Sequence, residues 1–339
     1  MDVSFLFCTA TQPALEKREN FDGVELIRPI VAEPSILFEK TRRVHYSLLN
    51  GLEPISIGEL VQSVCGNHSS ALVIFNTKKP TREFYESLKT TVDTIRIYHL
   101  STAMCPDHRK KTIRKIREDL AASIRIIVSS TQLIEAGVDF DFPSVYRALA
   151  PMEGIIQAAG RCNREGKMST PGTVSIFQLD GGRMPDKTYE ACAMHAKTMI
   201  ETNIDVLHRH DAYGDYYSRV ISLYVNADKK NINEARKEFN FETVARAYRL
   251  MPGFAEGLFV YGYNEESKKL YHEIEFKTAL SRDDFRRMQQ FTVQVFPGFL
   301  KNNAGNYEAK PQGYTVWWGS YDSDTGLPVS PETADSYVV

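Results

Sequence analysis

The sequence predicts an α/β protein: a parallel sheet wrapped by crossover helices, followed by a smaller α+β module. Over the first two-thirds of the 339 residues, short β-branched runs alternate with helical patterns, which is how parallel strands joined by crossover helices read. After Phe239 the texture changes to aromatic-rich segments punctuated by turns. A composition of 42% hydrophobic and 25% charged residues is that of an ordinary globular chain, long enough for two cores.

In chain order, strands are expected at Val3–Cys8, Val44–Leu49, Ala71–Phe75, Ile95–His99, Ile124–Ser129, Val145–Ala148 and Thr173–Gln178. Between them, helices are expected near Ile57–Cys65, Thr81–Thr90, Pro106–Leu120 and Gly154–Asn163. Pro80 suits a first helical turn, because proline lacks the amide that would be unpaired there. A polar helical stretch, about Asp186–His208, leads out of the sheet and places a boundary near residue 185. Beyond it the expected strands are Leu258–Tyr263, Leu270–Phe276, Phe291–Phe296 and Tyr314–Trp318. One helix, Ser281–Gln289, opens with an N-cap serine and two acids. Trp317 and Trp318, adjacent in a strand, should point to opposite faces. The C-terminal aromatics Tyr314, Trp317, Trp318 and Tyr321 suit core packing, base stacking or partner docking.

No stretch approaches the roughly 18 uninterrupted apolar residues of a membrane span, and Asp2 is unlike the basic start of a secretory signal, so no membrane partner and a cytoplasmic location are expected. The five cysteines are widely spaced and form no C-x-x-C pair, so they read as reduced thiols. With a net charge of −2, nucleic-acid binding would rest on local basic clusters and backbone amides.

The segment Gln157-Ala158-Ala159-Gly160-Arg161-Cys162-Asn163-Arg164 fits Q-x-x-G-R-x-x-R, read here as the start of a helix. Spacings of three and four would let one helical face aim an amide and two guanidiniums at a single anion. Guanidinium is permanently charged and forks onto phosphate oxygens, which suits charge developing on a transferring phosphoryl group. An R-x-x-R pair alone is more often a solvated helix face; the full pattern is far more specific. Upstream, Ser129-Ser130-Thr131-Gln132-Leu133-Ile134-Glu135-Ala136-Gly137-Val138-Asp139 reads strand, hydroxyl-rich turn, short helix, glycine, an arrangement suited to phosphate. Asp139 and Asp141 lack the companions a metal site requires, so none is expected. Two further strand-end loops, around Asn76-Thr77 and Ser101-Thr102, carry short polar side chains. The basic run His108–Arg117 reads mainly as a solvated helix face.

These segments resemble motifs VI, V, IV and IVa of superfamily 2 helicases, and Thr9-Ala10-Thr11 resembles motif III, which couples the two motor lobes. The wording Cys162-Asn163-Arg164-Glu165-Gly166 and Glu135-Ala136-Gly137-Val138-Asp139 is similar to the type I CRISPR helicase-nucleases. The resemblance implies a RecA-like second lobe over 14–185, preceded by the end of a first lobe over 1–13. A helical linker over 186–238 and an accessory domain over 239–339 would follow. It implies Arg164 as arginine finger, with Arg161, Gln157, Gly137 and Asp139 at the nucleotide, and Asn76, Thr77, Ser101, Thr102, Ser130 and Thr131 on single-stranded DNA. ATP and magnesium would be held mainly by the first lobe, since these 339 residues contain neither a G-x-x-x-x-G-K-[ST] loop nor an Asp-Glu box. Alone, the chain should be inactive. Its other implied partners are the N-terminal helicase/nuclease half and the RNA-guided surveillance complex. Two departures stand out: Ala158 replaces a polar or basic residue of many relatives, and His210-Asp211 has no accompanying metal ligands, so no nuclease is assigned. Motifs IV to VI are also common to DNA-repair and RNA helicases, and a non-catalytic DNA- or partner-binding form would keep them.

Overall fold

A computed structural model describes residues 26–67, 69–135, 137–222, 230–248 and 255–329, with residues 6, 7, 9, 11, 15, 17, 23, 24 and 228. The expected strand Val3–Cys8, apart from residues 6 and 7, lies outside the described residues, as do Ala10 and Ala136.

The first domain runs α1 (Pro34–Lys40), β1 (Val44–Leu48), α2 (Ile57–Gly66), β2 (Ala71–Phe75), α3 (Lys78–Thr91), β3 (Arg96–Leu100), α4 (Pro106–Ala121), β4 (Ile126–Thr131), β5 (Ser144–Ala148), α5 (Met152–Ala159) and β6 (Gly172–Phe177). The six strands form one sheet in the order β1-β6-β5-β2-β4-β3, with every pair parallel. Strand alternation builds the two cores. Leu72 and Ile74 join one face with Val128 and Val145, while Ala71, Val73 and Phe75 join the other with Ile127 and Tyr146. On that second face Phe75 packs edge-on against Phe177 at 5.6 Å and against Phe84 of α3 at 5.4 Å. Each such buried ring contributes roughly 1.5–3 kcal/mol.

Next come α6 (Lys187–Thr202), a 3₁₀ turn (Ile204–His208) and α7 (Asp211–Ser222). The expected helical stretch is present, but it does not leave the sheet. Ala196, Met199 and Ile200 of α6, Leu207 of the turn, and Ala212, Tyr213 and Tyr216 of α7 are buried in the same core as Val128 and Ile155. Its outward face is polar and its inward face small and apolar, so composition alone suggested a connector. Two short helices follow, α8 (Ile232–Lys237) and α9 (Phe241–Ala247).

The C-terminal module consists of β7 (Glu256–Val260), α10 (Glu265–Ile274), α11 (Arg282–Gln289), β8 (Thr292–Val295), α12 (Pro297–Asn302), β9 (Tyr307–Lys310) and β10 (Tyr314–Trp317). Its four-stranded sheet has the order β8-β7-β10-β9, with only the central β7–β10 pair parallel. The strand expected at Leu270–Phe276 is instead helix: Asn264 and Ser267 close a capping box, and Leu270, Tyr271 and Ile274 share its buried face. Ser281 caps α11 in the same reciprocal way with Asp284. Trp317 is buried while Trp318 is 41% exposed, on opposite faces as the strand pleat requires.

Candidate functional site

The residues singled out in the sequence gather at opposite edges of the six-stranded sheet. At the carboxyl ends of the neighbouring strands β2, β4 and β3 lie Asn76-Thr77, Ser130-Thr131 and Ser101-Thr102. Most of their side chains turn inward. The Asn76 amide donates to Leu149 O at 2.8 Å, and its carbonyl accepts from Arg147 Nη1 at 2.7 Å and from the Tyr189 hydroxyl at 2.9 Å. Ser101 Oγ accepts the Ala103 N–H and pairs with His99 Nε2 at 3.0 Å, and Ser130 Oγ donates to Thr131 O. Thr77 is buried and its carbonyl accepts from the Thr81 hydroxyl, whereas Thr102 is half-buried. Thr131 is different: its hydroxyl is buried without a hydrogen-bond partner.

From Thr131 the chain makes a 3₁₀ turn (Gln132–Ile134), passes Gly137 and reaches the start of β5 at the opposite, amino edge. Gly137 sits at φ +75° with open space around its Cα, so the left-handed backbone rather than crowding calls for glycine. The Q-x-x-G-R-x-x-R segment arrives at this edge too, from the end of α5 and not its start. Gly160 forms the C-cap, and Asn163 takes φ +43°. Gln157, Arg161 and Arg164 therefore do not share a helical face; the turn separates their roles. Gln157 is exposed on α5. Arg161 is buried, with Nε donating to Ile134 O at 2.9 Å and Nη2 to Glu135 O at 2.5 Å. Arg164 projects outward, half-buried, and pairs through Nη2 with Asp139 at 2.8 Å. Its backbone N–H donates to Asp141 Oδ1 at 2.7 Å, which gives Asp141 a structural task.

Burial, and then the neighbouring Arg164 charge, lower the Arg161 pKa. Burial raises the Cys162 thiol to about 12, keeping it protonated. Cys65, Cys105, Cys162 and Cys192 are all free. Of the motif III residues, Thr11 is buried and its hydroxyl pairs with Tyr217 of α7 at 2.9 Å, and the Thr9 hydroxyl donates to Thr11 O.

Residues 67–167, which include both strand-end loops, the 131–139 loop and the turn of Arg161 and Arg164, match the family model of the CRISPR-associated nuclease/helicase Cas3, C-terminal. Over this stretch the chain is similar to the C-terminal part of the Cas3 nuclease/helicases. It is 46% identical over 56 residues to a CRISPR-associated nuclease/helicase Cas3 of Haloferax volcanii, an alignment covering 16% of this chain and 6% of that one. Over 178 residues it is 29% identical to a Cas3-named protein of Methanocaldococcus jannaschii, covering 49% and 24% of the two chains. The fold is that of T. fusca Cas3: TM-score 0.58 at 13% identity, covering 85% of this chain and 42% of the solved one. The chain thus spans less than half the length of the Cas3 proteins it matches.

One feature beside the site escaped sequence reasoning. Arg147, in the middle of β5, is fully buried and touches Asn76, Glu135 and Tyr189. The signal was a lone charge within the apolar run Val145–Ala150. The His108–Arg117 run was also misjudged at its start, where His108 is buried and stacked on Tyr263 at 5.5 Å.

Proposed function

We propose that this Cas3-like chain supplies the second lobe of an ATP-driven single-stranded DNA translocase, with Arg164 as its arginine finger. The observation that carries the reading is the division of labour at the amino edge. Arg161 is tied to the backbone of the 131–139 loop, while Arg164, on the same turn, points outward toward an exposed carboxylate. An exposed ion pair is worth little, so Arg164 can exchange Asp139 for a phosphate oxygen at small cost.

ATP, held between two lobes, supplies the phosphoryl group whose charge must be balanced as it leaves. Arg164 offers that charge permanently and in a fork matched to phosphate oxygens. Arg161 acts as a positioning residue, fixing the loop of Gly137 and Asp139 beside it. Magnesium is assigned, with ATP, mainly to the first lobe; among the described residues no group of three His, Cys, Asp or Glu could hold a metal. A DNA strand would run along the carboxyl edge, where Thr102 is half-buried and the Thr131 hydroxyl lies buried without a hydrogen-bond partner. Docking on an RNA-guided surveillance complex belongs to the same reading. One structural relative, at TM-score 0.51, is solved within a CRISPR RNA-guided surveillance complex.

In a motor completed by its phosphate-loop lobe, Arg164→Ala should lower kcat for ATP by on the order of a thousandfold while single-strand affinity stays within twofold. Residues 1–339 alone should show no DNA-stimulated ATP hydrolysis. Robust turnover by the lone chain, or full turnover by Arg164→Ala, would overturn the proposal.

A further inference from the structure

We infer that Arg147 is the positioning residue through which the strand-facing and nucleotide-facing edges of this lobe sense one another, an inference that rests on the function proposed above. Arg147 has no exposed surface, yet it belongs to neither edge. Its Nη1 donates to Asn76 Oδ1 at 2.7 Å and to Ala148 O at 3.0 Å, which ties it to the carboxyl end of β2. Its Nη2 donates to the Tyr189 hydroxyl and lies 3.0 Å from Glu135 Oε1, which ties it to α6 and to the loop leading to Asp139. Glu135 in turn offers its backbone carbonyl to Arg161, three residues before Arg164. One rigid guanidinium therefore joins, with a single intervening residue, the loop of Asn76 to the turn of Arg164.

Stability does not explain such a group, because a buried ion pair can generally be replaced by well-packed apolar side chains without loss. Space has also been kept for it. A Cβ on Gly154 would come within 3.3 Å of Nη2 and 3.9 Å of Glu135 Oε1. The network is left incomplete as well. Arg147 Nε is buried without a hydrogen-bond partner, and Glu135 Oε1 has only the ion-pair contact with Nη2 at 3.0 Å. A buried network with unmet donors and acceptors can have a second arrangement close in energy, which is what a two-state coupling element requires. The planar fork makes the change concerted, since a shift of Glu135 toward or away from Nη2 turns Nη1 on Asn76.

The test is a coupling ratio in the motor completed by its phosphate-loop lobe: the Kd for a fluorescent oligothymidine without nucleotide divided by the Kd with a non-hydrolysable ATP analogue. In the unmodified motor this ratio should differ from one by about fivefold or more. Arg147→Lys, which keeps the charge but loses the fork, should bring it within about twofold of one. Tyr189→Phe, which removes a single hydroxyl and is the safer variant for folding, should give an intermediate ratio. A residue that merely supports the fold would weaken both affinities and leave their ratio alone. An unchanged ratio in folded Arg147→Lys or Tyr189→Phe protein overturns this inference and leaves the function standing. A ratio of one, or no oligothymidine binding, in the unmodified motor overturns the function and this inference with it.

Discussion

His99, the next-to-last residue of β3, has its ring buried against Tyr85 at 5.6 Å and its Nε2 on Ser101 Oγ. Burial, with the charges of Arg82 and His108 assisting, pushes its pKa down to about 3, against the weaker opposing pull of Asp322 and Asp324. In the unfolded chain the same imidazole titrates near its ordinary value of about 6.5. Below that pH the unfolded state takes up a proton that the folded state refuses. This contribution to stability is therefore complete above about pH 6.5 and is lost progressively as the pH falls toward 3. At pH 5 the loss amounts to about 2 kcal/mol from this one residue. His108, also held below its usual range by burial, adds in the same direction. Urea unfolding at pH 7.5 and pH 5 should show a drop in stability that is smaller by about 2 kcal/mol in His99→Gln. Equal drops in the two proteins would mean that His99 is protonated in the fold.

Strand β6 begins at Gly172, and the reason for glycine is the turn that carries the guanidiniums. A Cβ there would lie 2.5 Å from Cys162 Sγ, 3.1 Å from Asn163 Cβ and 3.2 Å from Pro143 O. Gly172→Ala should cost about 1–3 kcal/mol through overpacking, and in the completed motor proposed above it should lower ATP turnover as well, because Cys162 and Asn163 lie between Arg161 and Arg164. Adding Cys162→Ala removes the closest clash, so the double variant should be more stable than Gly172→Ala alone. Additive losses in a thermal double-mutant cycle would show that the two positions do not press on each other. The local sequence around this element was read well: all six strands of the parallel sheet lie within one or two residues of the expected bounds, and the central β2, buried at every position, is written as an unbroken apolar run. The segment Leu270–Phe276 was misread because its alternation of large apolar and acidic residues imitates a strand, and the Asn264 capping box that decides for helix lies outside it. Strand β9, Tyr-Glu-Ala-Lys, carries no strand signature and forms on the template of β10. At the candidate site, the motif patterns singled out Arg164 and Asp139, which lie 2.8 Å apart in the structure. They could not reveal that Arg161 turns inward or that Arg147 is buried against Asn76, Glu135 and Tyr189, since these partners come from segments distant in the sequence.

The two domains meet on the loop between β3 and α4, so the segment expected to follow DNA is also the seat of the C-terminal module. Ala103 and Cys105 are buried among Leu258, Val293, Phe299, Trp317 and Leu327, and the Leu327 N–H donates to Ala103 O at 2.9 Å. Gly326 approaches so closely that a Cβ would stand 2.3 Å from Ala103 O. The Tyr321 hydroxyl accepts the Cys105 N–H at 2.9 Å, and its own hydrogen is then directed at His108 Nδ1, 3.0 Å away. That geometry requires a neutral imidazole, and burial of His108 favours it. The Tyr263 hydroxyl on Asp107 and the Lys89–Asp324 pair at 3.0 Å complete the seam. A motion of the module must therefore move this loop, and with it the Ser101 and Thr102 end of the carboxyl edge. Tyr321→Phe keeps the ring but leaves a buried N–H unpaired, which should cost about 1–3 kcal/mol. The loss should be local to the seam, so amide exchange at Cys105 should quicken by on the order of tenfold while exchange in β2 and β5 stays the same. If exchange quickens equally throughout the sheet, the module is part of the lobe's cooperative core. If it does not change at Cys105, the Tyr321 hydroxyl is not what holds the loop.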